Sequence, residues 1–430
     1  MAKLERPFGV WTATAMVVGT MIGAGIFVLP GRLAPLGWTG AVSWIVGGMG
    51  VLAIARIIAD LTIQRSKEPS ILTICGDILG LLPGRVIAWS YWVSLICSLS
   101  VLAMAGAAYL LHLFPSLPDG PLEQAIGGTA IVAALTAINI RGVRNAGNFQ
   151  VIATLLKLLP LVVVIGIVAW LAVSAPATYS QAPHAPFSTA SLTPALAITF
   201  FALLGFESAG LVAERVRDPA RNVVRATLLG LALVLVIYMI VSTGIMMASP
   251  ADELSASSAP IAYFVTRFFG PWAGDAVALF AGISAIGCIN GVILFLGELP
   301  LGMVRDGQLP DYMAPTNSNK VAAQPLLLGS LLAIILMLGS ATGIGERVLD
   351  FLLRLTTASA IWFYAAICIA ALVVRIQRTL AVVGLGFCCW VLYGTGLEAG
   401  GLGILLILVA VPLHFLIGGR TRARGTAPAG

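Results

Sequence analysis

Two ionisable side chains lie within long apolar stretches of the sequence. Glu207 belongs to FFALLGFESAG (200–210) and Lys157 to ATLLKLLPLV (153–162). A charge shielded from water is costly unless it is paired or hydrogen-bonded, so each residue indicates a specific role. For Glu207 two alternatives stay open: a proton-linked switch at a binding site, or a carboxylate that accepts hydrogen bonds from loose backbone N–H groups. Lys157 has the alternative of extending its amine toward the cytoplasm.

Glycines interrupt an apolar segment twice, in GTMIGAGIFVLPG (19–31) and around Gly205. Glycine weakens a helix by about 1 kcal/mol relative to alanine, so both segments predict a broken helix. Close helix packing through Gly19 and Gly23 is the alternative for the first segment. A break exposes N–H groups at one half-helix and carbonyls at the other, which suits a carboxylate and an ammonium group, respectively. A zwitterionic amino acid carries both groups and is therefore the predicted ligand. The N–H groups belong to Ala24, Gly25 and Ile26, and the carbonyls to Met21, Ile22, Phe201, Ala202 and Leu204.

The composition decides which solvent surrounds these segments. Of the 430 residues 59% are apolar and 10% are charged, against about 25% charged in soluble domains. The mean hydropathy is +1.01. A soluble enzyme, a disordered chain and a fibrous chain are excluded, and the net charge of +6 is attributed to cationic cytoplasmic loops, not to nucleic-acid binding. The six cysteines show neither metal-ligand spacing nor a disulfide pattern, so neither a metal nor a cofactor is predicted.

Apolar runs long enough to cross a membrane predict an all-α integral membrane protein with twelve transmembrane helices. With both termini in the cytoplasm, nineteen of the 24 Lys and Arg residues face the cytoplasm, four face outward, and Lys157 lies within a span. This bias is what the positive-inside rule requires. The predicted spans are 10–36, 38–62, 84–114, 124–140, 148–173, 193–213, 224–248, 272–303, 325–340, 348–374, 379–396 and 401–418.

The two glycine-rich breaks fall in spans 1 and 6, which are five spans apart. Five is an odd number, so the second block of five spans enters the membrane from the opposite side, as in transporters built from inverted repeats. The prediction is a single transport domain over 1–430, with repeats at 10–173 and 193–374 and two additional helices at 379–418. A membrane-embedded channel or an enzyme is the alternative, although scattered histidines supply no catalytic cluster.

Three motifs together resemble the amino acid–polyamine–organocation permeases. They are GTMIGAGIFVLPG, then GFESAGLVAERVRDPARNVVRAT (205–227), and finally MVRDGQLP (303–310). Within this superfamily the chain is most similar to the bacterial basic amino acid/polyamine antiporters. The resemblance implies a LeuT-type 5+5 fold in a bacterial inner membrane, and alternating access as an exchanger or a proton-linked permease. It also implies a second alternative for Lys157, an amine at the span 1 break where sodium-coupled relatives hold sodium.

The chain departs from the arginine/agmatine type of exchanger at two aromatic positions. Phe201 stands where that type has a gating Trp, and Val292 stands where it has a Trp in span 8. These differences favour a smaller or neutral substrate.

Asn290, a polar residue of span 8, is added to the predicted site, with helix–helix hydrogen bonding as its alternative. An amino acid or polyamine and membrane lipid are the predicted partners, without nucleic acid, and a homodimer is left open. The predicted substrate-binding residues are Met21, Ile22, Gly23, Ala24, Gly25, Ile26, Phe201, Ala202, Leu204, Gly205 and Asn290, and Glu207 and Lys157 are assigned to coupling.

Overall fold

The computed structural model describes most of the chain and is built from helices joined by short loops. The described residues contain no β-strand. They are 9–23, 25–65, 70–141, 146–178, 185–211, 216–305, 309, 311–319, 321–343 and 348–417. The two ends of the chain, 1–8 and 418–430, which were predicted to be cytoplasmic, lie outside the described residues, as does Ala24.

The described residues of the first part of the chain form seven α-helices. They follow the predicted spans closely, except that a short amphipathic helix precedes span 3. Ser70 caps this short helix, since its hydroxyl oxygen accepts a hydrogen bond from the backbone N–H of Thr73. The helices are α1 Val10–Met21, α2 Gly25–Leu33, α3 Trp38–Gln64, α4 Ile71–Leu79, α5 Leu81–Leu111, α6 Pro121–Ile140 and α7 Ala146–Ser174.

In the second part, eleven α-helices are formed by the described residues. Two short ones, α11 and α12, lie between long helices and were not predicted from the sequence. The helices are α8 Thr189–Leu203, α9 Ser208–Leu211, α10 Pro219–Ala248, α11 Ala251–Ala256, α12 Pro260–Phe269, α13 Pro271–Arg305, α14 Ala323–Gly343, α15 Val348–Val373, α16 Arg378–Gly394, α17 Gly396–Leu408 and α18 Ala410–Ile417.

The described helices identify a multi-pass membrane protein. Eight of them are long and apolar enough to span a membrane, and up to ten spans result if each of two bent helix pairs counts as one. This number is lower than the twelve predicted, for two reasons. The break after Leu203 leaves α8 only 15 residues long, and the chain turns by 115° between α16 and the following segment, so that this pair can be read as one bent span or as two.

The helix α5 forms the centre of the bundle. In its most apolar stretch 89% of the residues are buried, against 22% in α6. It packs against α13, α15, α6 and α14. The broken helices pack against other helices, α1 and α2 against α10, and α8 against α3 and α15, so polar groups that point inward from them are shielded from lipid.

Candidate functional site

The break between α1 and α2 depends on two glycines that face bulky side chains. The helix α1 ends at Met21, and Ile22 leaves the helical region with ψ of 86°. A Cβ on Gly23 would lie 2.7 Å from the Cys288 sulfur, and one on Gly25 would lie 2.8 Å from the ring of Phe201. Any larger residue would therefore force its neighbour to move.

Two distant helices supply hydrogen-bond donors to the carbonyls of this first break. The Lys157 amine, on α7, donates to the Gly19 carbonyl at 2.9 Å. The Tyr238 hydroxyl, on α10, donates to the Met21 carbonyl at 2.7 Å. The Met21 carbonyl, predicted to accept from an ammonium group, thus already accepts from this tyrosine through one of its two lone pairs.

The second break, between α8 and α9, is in direct contact with the first. Gly205 has a φ of +102°, a conformation that favours glycine. A Cβ there would lie 3.1 Å from the Thr20 carbonyl carbon and 3.2 Å from the Met21 nitrogen. The Thr20 hydroxyl lies 3.0 Å from both the Gly205 carbonyl oxygen and the Ser208 hydroxyl. The backbones of the two irregular segments thus lie close together, and the Thr20 side chain joins them.

Glu207 is the acceptor that organises the second break. Its side chain is 1% exposed. One carboxylate oxygen accepts from the Tyr91 hydroxyl at 2.8 Å. The other accepts from the Tyr364 hydroxyl at 2.8 Å and from the Gly205 N–H at 3.1 Å. Both sequence-based alternatives for Glu207 are compatible with this geometry, since the carboxylate accepts from the broken backbone and also borders a cavity.

Aromatic packing fixes the direction of these tyrosine hydroxyls. The ring of Tyr364 stacks on Phe206, with centroids 5.1 Å apart and planes 19° apart. Tyr91 packs against Phe363 at 4.8 Å. Buried tyrosines normally combine such packing with a partner for the hydroxyl, and here Glu207 is that partner for both.

A cavity of about 100 Å³ lies between the two breaks. Residues from α5, α7, α13 and α15 complete its wall. It brings together nine of the predicted site residues: Met21, Gly23, Gly25, Lys157, Phe201, Ala202, Leu204, Gly205 and Glu207. Such a cavity at two interrupted helices offers backbone and side-chain polar groups to a small ligand.

The family of the chain is shown by a match over nearly all of its residues. A sequence model of the family described as amino acid permease matches residues 8–426. The chain belongs to this amino acid permease family. The predicted membership of the amino acid–polyamine–organocation superfamily is thereby confirmed.

This permease is similar to transporters from two bacteria. It is 28% identical over 352 residues to the cadaverine/lysine antiporter of Escherichia coli (strain K12), which covers 79% of this chain and 77% of that antiporter. It is 28% identical over 400 residues to the putative arginine/ornithine antiporter of Bacillus subtilis (strain 168), which covers 85% and 83%, respectively. The family and these relatives are transporters, so the permease is grouped with carriers of small molecules.

Three predicted site residues of the permease lie away from the cavity wall. Ile22, at the end of α1, and Ile26, in α2, are fully buried in the surrounding packing and are not among the residues of the cavity wall. The side-chain oxygen of Asn290 accepts from the Asn139 amide at 2.7 Å. The helix–helix alternative therefore describes Asn290, and its placement in the substrate site is corrected. Ala24 lies outside the described residues.

The structure also decides between the alternatives for Lys157. The amine does not extend to a membrane surface, because Lys157 is 1% exposed and its amine bonds to the Gly19 carbonyl inside the bundle. It therefore lies beside the first break, within the wall of the cavity.

Sequence reasoning missed the three tyrosines that hold the breaks. Tyr91, Tyr364 and Tyr238 lie in apolar helices, where a hydroxyl without a partner would be costly. That cost is a usable signal that each hydroxyl meets a polar group. It does not identify the group, because the partners lie 116, 157 and 217 residues away in sequence.

Proposed function

We propose that this permease is a secondary active transporter that moves amino acids or related amines across the bacterial inner membrane. The observation that carries the proposal is the cavity bordered by two touching helix breaks, with one carboxylate and one amine in its wall. The exposed backbone of such breaks suits the charged ends of an amino acid.

The proposed architecture has twelve spans with both termini in the cytoplasm. Counting α8 with α9 as one span, and α16 and the segment after it as two, gives twelve. The domain then consists of inverted repeats at 10–173 and 193–374, with additional helices at 379–418. The positions of the two breaks in the first span of each repeat support this arrangement. A homodimer stays a prediction.

The proposed cycle is alternating access around the cavity. The first half-helix α1 and the segment around Gly205 touch through Thr20, so a tilt of one break is transmitted to the other. The relatives are described as antiporters, which supports exchange as the mode of transport. Glu207 is the candidate for proton linkage in a proton-coupled mode, and Lys157, beside the first break, supports sodium independence.

Counterflow in proteoliposomes tests the carrier function. The purified full chain is reconstituted into vesicles loaded with unlabelled alanine, or in parallel with lysine, and uptake of the same labelled amino acid is followed. A carrier gives a transient accumulation that saturates with concentration. Uptake that neither saturates nor depends on the internal amino acid would indicate a channel, and chemical conversion of the label would indicate an enzyme.

A further inference from the structure

The formal charges around the cavity are balanced before any substrate binds. Among the described residues of the wall, Glu207 carries the one carboxyl group and Lys157 the one amine. Their formal charges at pH 7 cancel. A zwitterion with a neutral side chain leaves this balance unchanged, whereas lysine adds one positive charge and cadaverine adds two.

Glu207 has little capacity for an additional cationic side chain. Its two oxygens already accept from Tyr91, Tyr364 and the Gly205 N–H. The remaining capacity suffices for the α-ammonium group of a substrate, but the described wall offers no second carboxylate for another cation. A buried charge without a partner is strongly disfavoured.

The part of the wall outside the breaks is mostly neutral. It includes serine hydroxyls and leucines on α5, Gly291, Val292 and Phe295 on α13, and Ala360 on α15. An aromatic face such as that of Phe295 attracts a cation, but this attraction offsets only part of the cost of burying it. These surfaces favour a methyl, hydroxymethyl or short branched side chain.

The size of the cavity also favours a small substrate. Its volume is about 100 Å³, and an apolar cavity of about 150 Å³ accommodates a benzene molecule. Alanine has as many non-hydrogen atoms as benzene, whereas lysine, arginine and ornithine have considerably more. A dibasic side chain would extend beyond this volume.

We infer that the substrate is a small neutral α-amino acid, not a dibasic amino acid or a polyamine. This inference rests on the carrier function proposed above. It separates the permease from the two antiporters to which it is similar, whose names state cadaverine and lysine, or arginine and ornithine.

Competition in counterflow tests the inference with the full chain in proteoliposomes. Labelled alanine and labelled lysine are each followed, with alanine, serine, threonine, lysine, ornithine, arginine and cadaverine as unlabelled competitors at equal concentration. We expect alanine counterflow, inhibited at least tenfold more strongly by the neutral amino acids than by the cationic compounds. Lysine counterflow with equal or stronger inhibition by cationic compounds would overturn the inference while leaving the carrier function intact. The absence of counterflow for every compound would overturn both.

A matched pair of variants tests whether charge balance is the cause. Ser98 lies in the cavity wall on α5. Ser98→Asp adds a carboxylate there, and Ser98→Asn is a control of the same size without charge. We expect lysine to compete at least tenfold better against alanine in Ser98→Asp than in Ser98→Asn. Equal competition in the two variants would show that charge does not exclude lysine, and the wild-type panel decides the specificity independently.

Discussion

The two helix breaks are held in opposite ways. At the break between α1 and α2, side chains of two other helices donate to backbone carbonyls. At the break between α8 and α9, a side chain of the break itself accepts from the backbone. Lys157 and Tyr238 hold the first break from α7 and α10. Glu207 holds the second through the Gly205 N–H, and the tyrosines of α5 and α15 hold Glu207. The first break therefore depends directly on side chains of distant helices, whereas the second depends on them only through Glu207, a residue of the break itself.

Removal of the Glu207 carboxylate is expected to have the largest effect. Glu207→Ala leaves two tyrosine hydroxyls and one N–H without their acceptor, at a cost of about 1–3 kcal/mol for each buried group. We expect counterflow to fall by at least about 100-fold. Glu207→Gln retains an acceptor oxygen, and the Tyr91 hydroxyl can accept from its amide, so the break is preserved without the charge.

The Gln variant separates the two alternatives for Glu207. If this residue links transport to protons, counterflow by Glu207→Gln becomes independent of pH between acidic and neutral conditions. Wild-type-like pH dependence in this variant would count against the proton role and leave Glu207 as an organiser of the break. Thermal stability in detergent is measured alongside, so that unfolding is not mistaken for a transport defect.

The two glycines of the breaks are expected to respond differently to alanine. Gly205→Ala places a Cβ against the backbone of Thr20 and Met21 at a positive φ, which costs about 1–3 kcal/mol and cannot be relieved by a side chain. We expect about a tenfold to 100-fold loss of counterflow. Gly25→Ala meets only the ring of Phe201, so its smaller loss should be partly rescued by Phe201→Leu. Phe201→Leu alone serves as the control. If Phe201→Leu also rescued Gly205→Ala, the proposed difference between a Cβ that meets backbone and a Cβ that meets a side chain would be contradicted.

Substitution of Lys157 is expected to weaken the first break. Lys157→Met has a similar length but no donor, so the Gly19 carbonyl loses its hydrogen bond, and we expect about a tenfold loss of counterflow. Because the wild-type amine lies at this break, we also expect no stimulation when sodium replaces potassium in the medium. If sodium stimulated counterflow by the wild-type protein, the Lys157 amine would not take the place of a sodium ion.

The smallest effect is expected from the Tyr238 hydroxyl. Tyr238→Phe retains the ring, which packs against Trp44, and removes only the donor to the Met21 carbonyl. The loss of about 0.5–1.5 kcal/mol corresponds to a decrease in substrate affinity of up to about tenfold. Tyr109→Phe is the control, because that buried hydroxyl donates to the Phe27 carbonyl and accepts from the Ile261 N–H, both outside the break. Equal effects on affinity in both variants would indicate a general loss of stability.

The sequence predicted the locations of the breaks better than the contacts that hold them. Gly23, Gly25 and Gly205 are visible in the sequence because glycine disfavours a helix wherever it stands. The roles of Tyr91 and Tyr364 were not predictable, because their partner is determined by how three distant helices pack. Asn290 was misplaced for the same reason, since the sequence does not state which helix face points to the cavity.

Binding of labelled alanine and labelled lysine to the purified permease in detergent tests most directly whether the two breaks form the binding site. The wild-type protein, Glu207→Ala, Gly25→Ala and Leu397→Ala are compared in a scintillation proximity assay; Leu397 is 96% exposed and serves as the control. We predict saturable binding of one of the two ligands to the wild type and the control, at least tenfold weaker binding to Glu207→Ala, and a smaller but measurable weakening in Gly25→Ala. Unchanged affinity in both break variants, with protein that is folded, would contradict the account.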